Sequence, residues 1–250
     1  MQRVWGEVNV GFYTMCSGVR HGPAVWTHAL LPDYHAFSQR GGYAFPLYDR
    51  RPGGPEHNLR PELLEALGGA YGGPVSPEQV FDAMLALLSA SSYSVRFAED
   101  LEDVFPHIPF PADRAVFEDA AQIGARIRAV ETFAADPADP GAGFARVVTQ
   151  PSGPLAPVIT DEGDVILCED GSGRVTGVPR DVLEFSVSGY KVLSNWLADR
   201  AGLEADYDMI RQFRDVAMRI AELLELCDSA DPVLDRAVDD PLTREALGFE

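Results

Sequence analysis

With 250 residues, the chain is long enough for one large domain or two smaller ones, and its 46% hydrophobic and 10% aromatic composition excludes a disordered protein. A formal net charge of −19 argues against a non-specific nucleic-acid binder, whose surface would be basic. The sequence has neither an apolar run long enough to span a bilayer nor the apolar stretch of a secretory signal at its N-terminus. Three widely spaced cysteines favour reduced thiols, so the sequence predicts a cytoplasmic protein.

The first 60 residues alternate short apolar stretches with glycine, proline and aromatic residues, a mixture typical of strands and half-buried loops. Such elements are predicted at residues 4–13 and 23–31. Helical signals begin at Pro61. The N-terminal part of the chain is therefore predicted to be a mixed segment that leads into a helical region.

A helix is predicted to begin after Ser76, because a proline follows it and Gln79 stands where a capping box requires it. Apolar residues then recur at helical spacing and would form the buried face: Val80, Met84, Leu87 and Leu88. Two further helices are predicted over residues 93–102 and 114–133. The inner face of the second would carry Ile123, Ile127 and Val130.

The Pro/Gly-rich stretch DPADPGAG at residues 136–143 is the best internal boundary, and it divides the chain into residues 1–135 and 144–250. One compact unit remains the alternative. Short strands separated by turns predict a small antiparallel sheet from residues 157–160, 164–167, 174–178 and 182–187.

Two helices, over residues 189–200 and 206–227, would close the chain. The second has an apolar seam with 3-4-3-4-3 spacing: Ile210, Phe213, Ala217, Ile220, Leu224 and Cys227. The predicted fold class is α+β, mostly helical, with an N-terminal mixed segment and a small antiparallel sheet in the second half.

Motifs for methyl transfer are absent from the sequence. It lacks the Asn/Asp-Pro-Pro-Tyr/Phe tetrapeptide that holds a flipped base in adenine-N6 methyltransferases. The nearest glycine-rich string, residues 171–177, leads into a predicted strand instead of a helix and is interpreted as a hairpin turn. A Gly-x-Ser-x-Gly elbow is also missing. The chain is therefore predicted to have no catalytic activity on its own and no cofactor.

The histidines His21, His28 and His35 recur every seven residues, with Cys16 nearby. Such a spacing aligns side chains only on a continuous helix, and prolines interrupt this segment, so no metal site is predicted. The acidic residues of the last helix are predicted to form a solvated surface that includes Glu222, Glu225, Asp228 and Asp231.

Arginines near glycine turns form the one pattern that points to binding. Residues 1–60 contain six arginines and four acidic residues, whereas the rest of the chain is strongly acidic. The bidentate guanidinium group suits phosphates and guanine edges. The predicted DNA contacts are Arg20, Arg40, Arg50, Arg51 and Arg60. The alternative interpretation is that these are ordinary surface arginines in flexible loops.

Four stretches in the same order resemble the C-terminal specificity domain of type ISP restriction-modification enzymes and related adenine-specific DNA methyltransferases. They are YAFPLYDRR (43–51), SPEQVFDAMLALLSASSYSVRFAEDLEDVFPHIPFP (76–111), FEDAAQIGARIRAVET (117–132) and VLEFSVSGYKVLSNWLADRAG (182–202). In the second stretch this chain departs from the family's pattern twice, with His107 and Glu102 at positions that are usually basic.

The resemblance implies a non-catalytic target-recognition domain that binds double-stranded DNA, weakly when isolated, beside a methyltransferase domain that carries the chemistry. A second hypothesis is an acidic interaction or regulatory module that docks on a partner subunit or mimics DNA. A third, an unrecognised hydrolase, has no motif in its favour.

Overall fold

The computed structural model describes residues 5–6, 9–36, 41–53 and 56–249. Internal contacts divide the chain into two compact units. The first comprises Met1–Ala135, Val187–Gly189 and Glu225–Glu250, and the second comprises Asp136–Ser186 and Tyr190–Leu224. The predicted division into domains at residues 135 and 144 stays a prediction.

The first unit begins with a three-stranded antiparallel sheet. Strand β1 (Gly11–Thr14) lies between β2 (Val25–His28) and β3 (Tyr43–Pro46). The β1 strand is buried along its whole length, whereas β3 is at an edge and keeps partly exposed aromatic residues. Strands or half-buried loops were predicted over residues 4–13 and 23–31, and β3 was not predicted.

The first unit also contains the helices α1 (Pro61–Ala70), α2 (Pro77–Ser89), α3 (Tyr93–Arg96) and α4 (Arg114–Glu131). The capping box before α2 is confirmed, because Ser76 Oγ accepts from the Gln79 N–H at 3.2 Å and the Gln79 side chain accepts from the Ser76 N–H at 2.9 Å. The single helix predicted over residues 93–102 is wrong. Helix α3 ends at Arg96 and only a 3₁₀ turn, Asp100–Glu102, follows, since the exposed Val95 leaves no continuous apolar face to bury.

Helices α2 and α4 pack closely in the core of this unit. Gly124 on α4 lies against the backbone carbonyl of Asp82 on α2, where a Cβ atom would come within 1.7 Å of the oxygen. Arg128 then donates two hydrogen bonds, of 2.6 and 2.8 Å, to the buried Asp82 carboxylate. The small size of Gly124 and the ion pair between Arg128 and Asp82 together determine how closely α2 and α4 pack.

The second unit contains a four-stranded antiparallel sheet of the order β4-β7-β6-β5. Its strands are β4 (Arg146–Val147), β5 (Leu155–Ile159), β6 (Val165–Cys168) and β7 (Arg174–Thr176). The following elements are α5 (Arg180–Glu184), the two-residue strands β8 (Ser186–Val187) and β9 (Tyr190–Lys191), and α6 (Val192–Ala198). The α+β fold class with its small antiparallel sheet is confirmed.

The strand predicted over residues 182–187 is wrong for most of its length, because α5 occupies residues 180–184. Val182 and Leu183 are neighbours in sequence and both are buried, which a helical turn allows and an alternating strand does not. An i,i+4 ion pair between Arg180 and Glu184 at 2.8 Å spans the turn.

Helix α7 (Tyr207–Asp239) continues 12 residues beyond its predicted end and contains Pro232. The predicted seam is buried except for Leu224, whose place is taken by Leu223. Buried apolar residues continue the pattern past the proline: Ala230, Val233, Leu234 and Ala237. Burial of these apolar residues stabilises the helix beyond Cys227, where the sequence predicted its end.

The acidic surface predicted on this helix is partly wrong. Glu222 is buried, and its Oε2 accepts a 2.7 Å hydrogen bond from the Ala138 N–H. Asp228 accepts from the Ser91 hydroxyl at 2.5 Å, and Asp231 accepts from the backbone N–H and hydroxyl of Ser92. These carboxylates therefore hold neighbouring segments in place, and Glu225 is exposed.

Candidate nucleic-acid interface

The arginine loop, residues 47–53, follows β3 and carries Arg50 and Arg51. The buried side-chain amide of Asn9 fixes the beginning of this loop. Asn9 donates from Nδ2 to the carbonyl oxygens of Tyr48 at 2.7 Å and Trp5 at 2.9 Å. Its Oδ1 accepts from the Tyr48 N–H at 3.2 Å. Because the Asn9 side chain satisfies both backbone groups of Tyr48, the arginine loop starts from a rigid position.

Arg50 is exposed and its guanidinium group lies over the Tyr48 ring, 4.4 Å from the centroid. The aliphatic part of its side chain passes Gly6, where a Cβ atom would approach Arg50 Cβ to 2.8 Å. Within the described residues, Arg50 has no carboxylate partner. The ring orients the cation without neutralising it, so the full positive charge remains available to a ligand.

Arg51 is held differently. Its backbone N–H and Nε each donate to Asp49 at 3.0 Å, and its Nη2 also contacts the Asp49 carboxylate. The Asp49 side chain is only 2% exposed, and these hydrogen bonds from Arg51 lower its pKa. Asp49 is therefore ionised and forms an ion pair with Arg51.

The other predicted arginines lie at different places in the first unit. Arg60 precedes α1, with its guanidinium carbon 5.6 Å from the Phe249 ring centroid, and lines a cavity of about 700 Å³. Arg20 is exposed and lines a cavity of about 480 Å³ together with Glu102 and Asp103. Arg40 lies outside the described residues.

Of the four predicted site residues that the structure describes, only Arg50 and Arg51 thus lie in one loop. Sequence reasoning missed Asn9 and Asp49, which position that loop. Asp49 was visible next to the arginine pair, but with 39 acidic residues in the chain its identity carried no signal without its burial. Nothing in the sequence marked Asn9.

A comparison with models of known protein families shows to which family this chain belongs. Residues 1–226 match the family model described as the Type ISP C-terminal specificity domain. The chain belongs to this family. No curated protein sequence matches this specificity domain.

Three solved structures are similar to this specificity domain. The cryo-electron-microscopy structure of a DrdV–DNA complex has a TM-score of 0.72 at 17% identity, covering 90% of this chain and 24% of that one. The type ISP restriction-modification enzyme LlaBIII bound to DNA has a TM-score of 0.64 at 16% identity, covering 95% and 16%. A nuclease-deletion mutant of the type ISP enzyme LlaGI, in complex with a DNA substrate mimic, gives 0.57 at 17%, covering 94% and 18%. The present chain thus spans a quarter or less of each of these chains, and at such identities the likeness shows a shared fold.

The family-like segments of this specificity domain can now be placed in its fold. The Phe45–Tyr48 segment forms the end of β3 and the start of the arginine loop. The glycine of the 117–132 segment is Gly124, at the contact between α4 and α2. Glu102 and His107 are exposed, and the His107 carbonyl accepts a 2.5 Å hydrogen bond from the Tyr93 hydroxyl.

A metal centre has no support in the described part of the specificity domain, where no cluster of histidine, cysteine and carboxylate side chains could hold an ion. His28 is a strand residue, and burial lowers its pKa to about 4, so it is neutral at physiological pH. Among the described residues, no helix is both long enough and apolar enough to cross a membrane.

Proposed function

We propose that this chain is the non-catalytic target-recognition part of a restriction-modification enzyme or adenine-specific DNA methyltransferase, and that it contacts double-stranded DNA. The match of residues 1–226 to the specificity-domain family carries the proposal. Supporting it, the similar LlaBIII, DrdV and LlaGI structures are complexes with DNA or with a DNA mimic. Methyl transfer would belong to a separate methyltransferase domain.

The arginine loop is the proposed centre of the DNA contact. Arg50 supplies an exposed cation without a carboxylate partner among the described residues, and the Asn9 clamp fixes the start of its loop. Arg51, Arg60, Arg20 and Arg40 are proposed as further contacts. Acidic surfaces elsewhere would repel the duplex and orient it toward this loop.

Fluorescence anisotropy with a labelled duplex tests the proposal across a salt series. Each phosphate neutralised contributes about −0.9 to the slope of log K against log salt concentration. Changing Arg50 and Arg51 together to alanine should weaken binding at low salt and reduce the slope by about 2 if both contact phosphate. A matched control is the double variant Arg180→Ala/Arg211→Ala, because both arginines are highly exposed in the second unit and pair only with exposed acids.

Two results would contradict the proposal: equal binding by the two double variants, or no duplex binding by the wild-type chain even when joined to its methyltransferase. Binding to a basic partner protein without any affinity for DNA would support the acidic docking module instead. Calorimetric titration with S-adenosylmethionine should give no stoichiometric signal, since the sequence contains no cofactor loop.

A further inference from the structure

An apolar cavity of about 410 Å³ lies in the first unit, next to the arginine loop. Its buried part includes Phe12 and Phe81, whose rings stack at a centroid distance of 4.0 Å. At its exposed side, Phe45 and Phe105 meet edge to face at 5.9 Å and remain 42% and 39% exposed. The volume is that of a small-molecule or nucleotide site, and its aromatic walls favour a flat apolar ring.

Two polar side chains, Asn58 and Thr14, line this mostly apolar cavity. Asn58 is fixed by its backbone N–H, which donates to the Leu47 carbonyl at 2.7 Å, while its side-chain amide has no hydrogen-bond partner within the described residues. The other polar side chain, Thr14, already donates its hydroxyl to the Ala24 carbonyl at 2.7 Å. An amide offers a donor and an acceptor side by side, the pair that matches N7 and the N6 amino group of adenine.

Two arginines follow lining residues of this cavity in the sequence. Arg50 comes three residues after the lining residue Leu47, and Arg60 directly follows the lining residue Leu59. A ligand with a flat ring and an attached phosphate backbone would match both the aromatic walls and these arginines. A purely apolar peptide would match the walls alone.

We propose that this cavity receives an unstacked nucleobase of bound DNA, with adenine preferred. Phe45 and Phe105 cover the face of the base, and the Asn58 amide reads its edge. The inference deepens the proposed function, on which it rests, by assigning a base-reading site next to the phosphate contacts.

The test measures the affinity of the full chain for four labelled DNA duplexes that differ at one place. One is fully paired, and the others contain a single bulged adenine, a bulged cytosine or a bulged abasic site. Base stacking on aromatic side chains is worth roughly 5- to 150-fold in affinity, so the adenine bulge should bind more tightly than the abasic bulge by a factor in this range. Cytosine should fall between them.

Two variants separate the contribution of stacking on the base from that of hydrogen bonds to its edge. Phe105→Ala should remove the preference for a base over the abasic site, and Asn58→Ala should remove only the preference for adenine over cytosine. Neither should change binding to the paired duplex by more than about 2-fold, because the phosphate contacts remain. Tyr207→Ala is the control, since this residue is a 75% exposed aromatic in the second unit. Thermal unfolding of each variant verifies folding, and the exposed position of Asn58 favours a folded Asn58→Ala variant.

Equal affinity of the wild-type chain for the adenine and abasic bulges would overturn the proposal, as would a preference that survives both variants. The wild-type chain could instead show no base preference and bind an anilinonaphthalene sulfonate probe, with this probe binding lost in Phe105→Ala. The cavity would then be an apolar docking site for protein. Failure to bind even the paired duplex, also when the chain is joined to its methyltransferase, would refute the proposed function. The cavity would then still be tested by comparing oligo-dA with an abasic oligonucleotide of equal length, and equal affinity for the two would refute the base site.

Discussion

Replacing Gly124 with alanine should destabilise the first unit, although alanine is the better helix former. An added Cβ would lie 1.7 Å from the carbonyl oxygen of Asp82, whereas real Cβ contacts are almost never shorter than 3.0 Å. The obstacle is backbone, so α2 and α4 must separate by more than about 1 Å to restore contact distance. The hydrogen bonds from Arg128 to Asp82 would lengthen with that movement.

The expected free-energy change follows from opposing effects. Overpacking of a close-packed core costs typically about 1–3 kcal/mol, and a backbone clash belongs at the upper end. Weakening the hydrogen bonds of the buried Asp82 carboxylate adds about 1 kcal/mol. The better helix propensity of alanine returns about 1 kcal/mol. We expect Gly124→Ala to lower the free energy of unfolding by about 2–3 kcal/mol, which corresponds to a fall of about 5–10 °C in Tm for a chain of this length.

Thermal unfolding followed by circular dichroism measures this change, and Gly69→Ala is the matched control. Gly69 is in α1, and an added Cβ there meets no atom within 4 Å. That variant should keep or slightly raise the Tm, because it gains helix propensity without a clash. If the two variants have the same Tm, the close approach at Gly124 does not limit the packing of α2 and α4.

Three further outcomes follow from named contacts. Arg50→Ala should weaken duplex binding more than Arg51→Ala in the anisotropy assay, because Asp49 already pairs with Arg51. The reverse order would contradict this and show that Asp49 releases Arg51 on binding. Burial raises the pKa of Glu131 from 4.5 to about 8, so the folded state holds this proton more tightly than the unfolded state. Stability should therefore fall as the pH rises from about 4.5 to 8, and Glu131→Gln should flatten the curve of Tm against pH; parallel curves for the two proteins would contradict it. Ile220→Asp should lower the free energy of unfolding by several kcal/mol in a denaturant titration, because Ile220 is 1% exposed and the charge would have no partner; a change below about 1 kcal/mol would refute the burial.

Elements with a strong local signal could be predicted from the sequence. The capping box at Ser76 and the seam of α7 depend on residues near one another in the chain, and both are present in the structure. The end of α7 could not be predicted, because Pro232 and its polar neighbours favour termination locally while burial of Leu234 favours continuation. Tertiary burial outweighed the local preference there.

The candidate site was less accessible to sequence reasoning. An arginine pair near glycines identifies a basic loop, but the sequence does not show which arginine has a buried partner. Asp49 and Asn9 act across the fold or by their burial, and neither property depends on residue type alone. Gly124 was part of a recognised family-like segment, yet only the distance to Asp82 explains why a side chain would be excluded.

The strong acidity of the chain does not by itself prevent DNA binding, because the local environment of each cation decides what a phosphate meets. Many of the described arginines pair with nearby carboxylates, as Arg96 does with Asp235 at 2.7 Å and Arg114 with Glu118 at 2.7 Å. Such pairs present little net charge to a ligand. Arg50 rests on the ring of Tyr48 instead, so its charge remains uncompensated within a surface that repels phosphate elsewhere. Arginines without a carboxylate partner, such as Arg50, in an otherwise acidic surface would give weak affinity but a preferred orientation of the duplex, which agrees with the proposed role of the chain as one part of a larger DNA-binding enzyme.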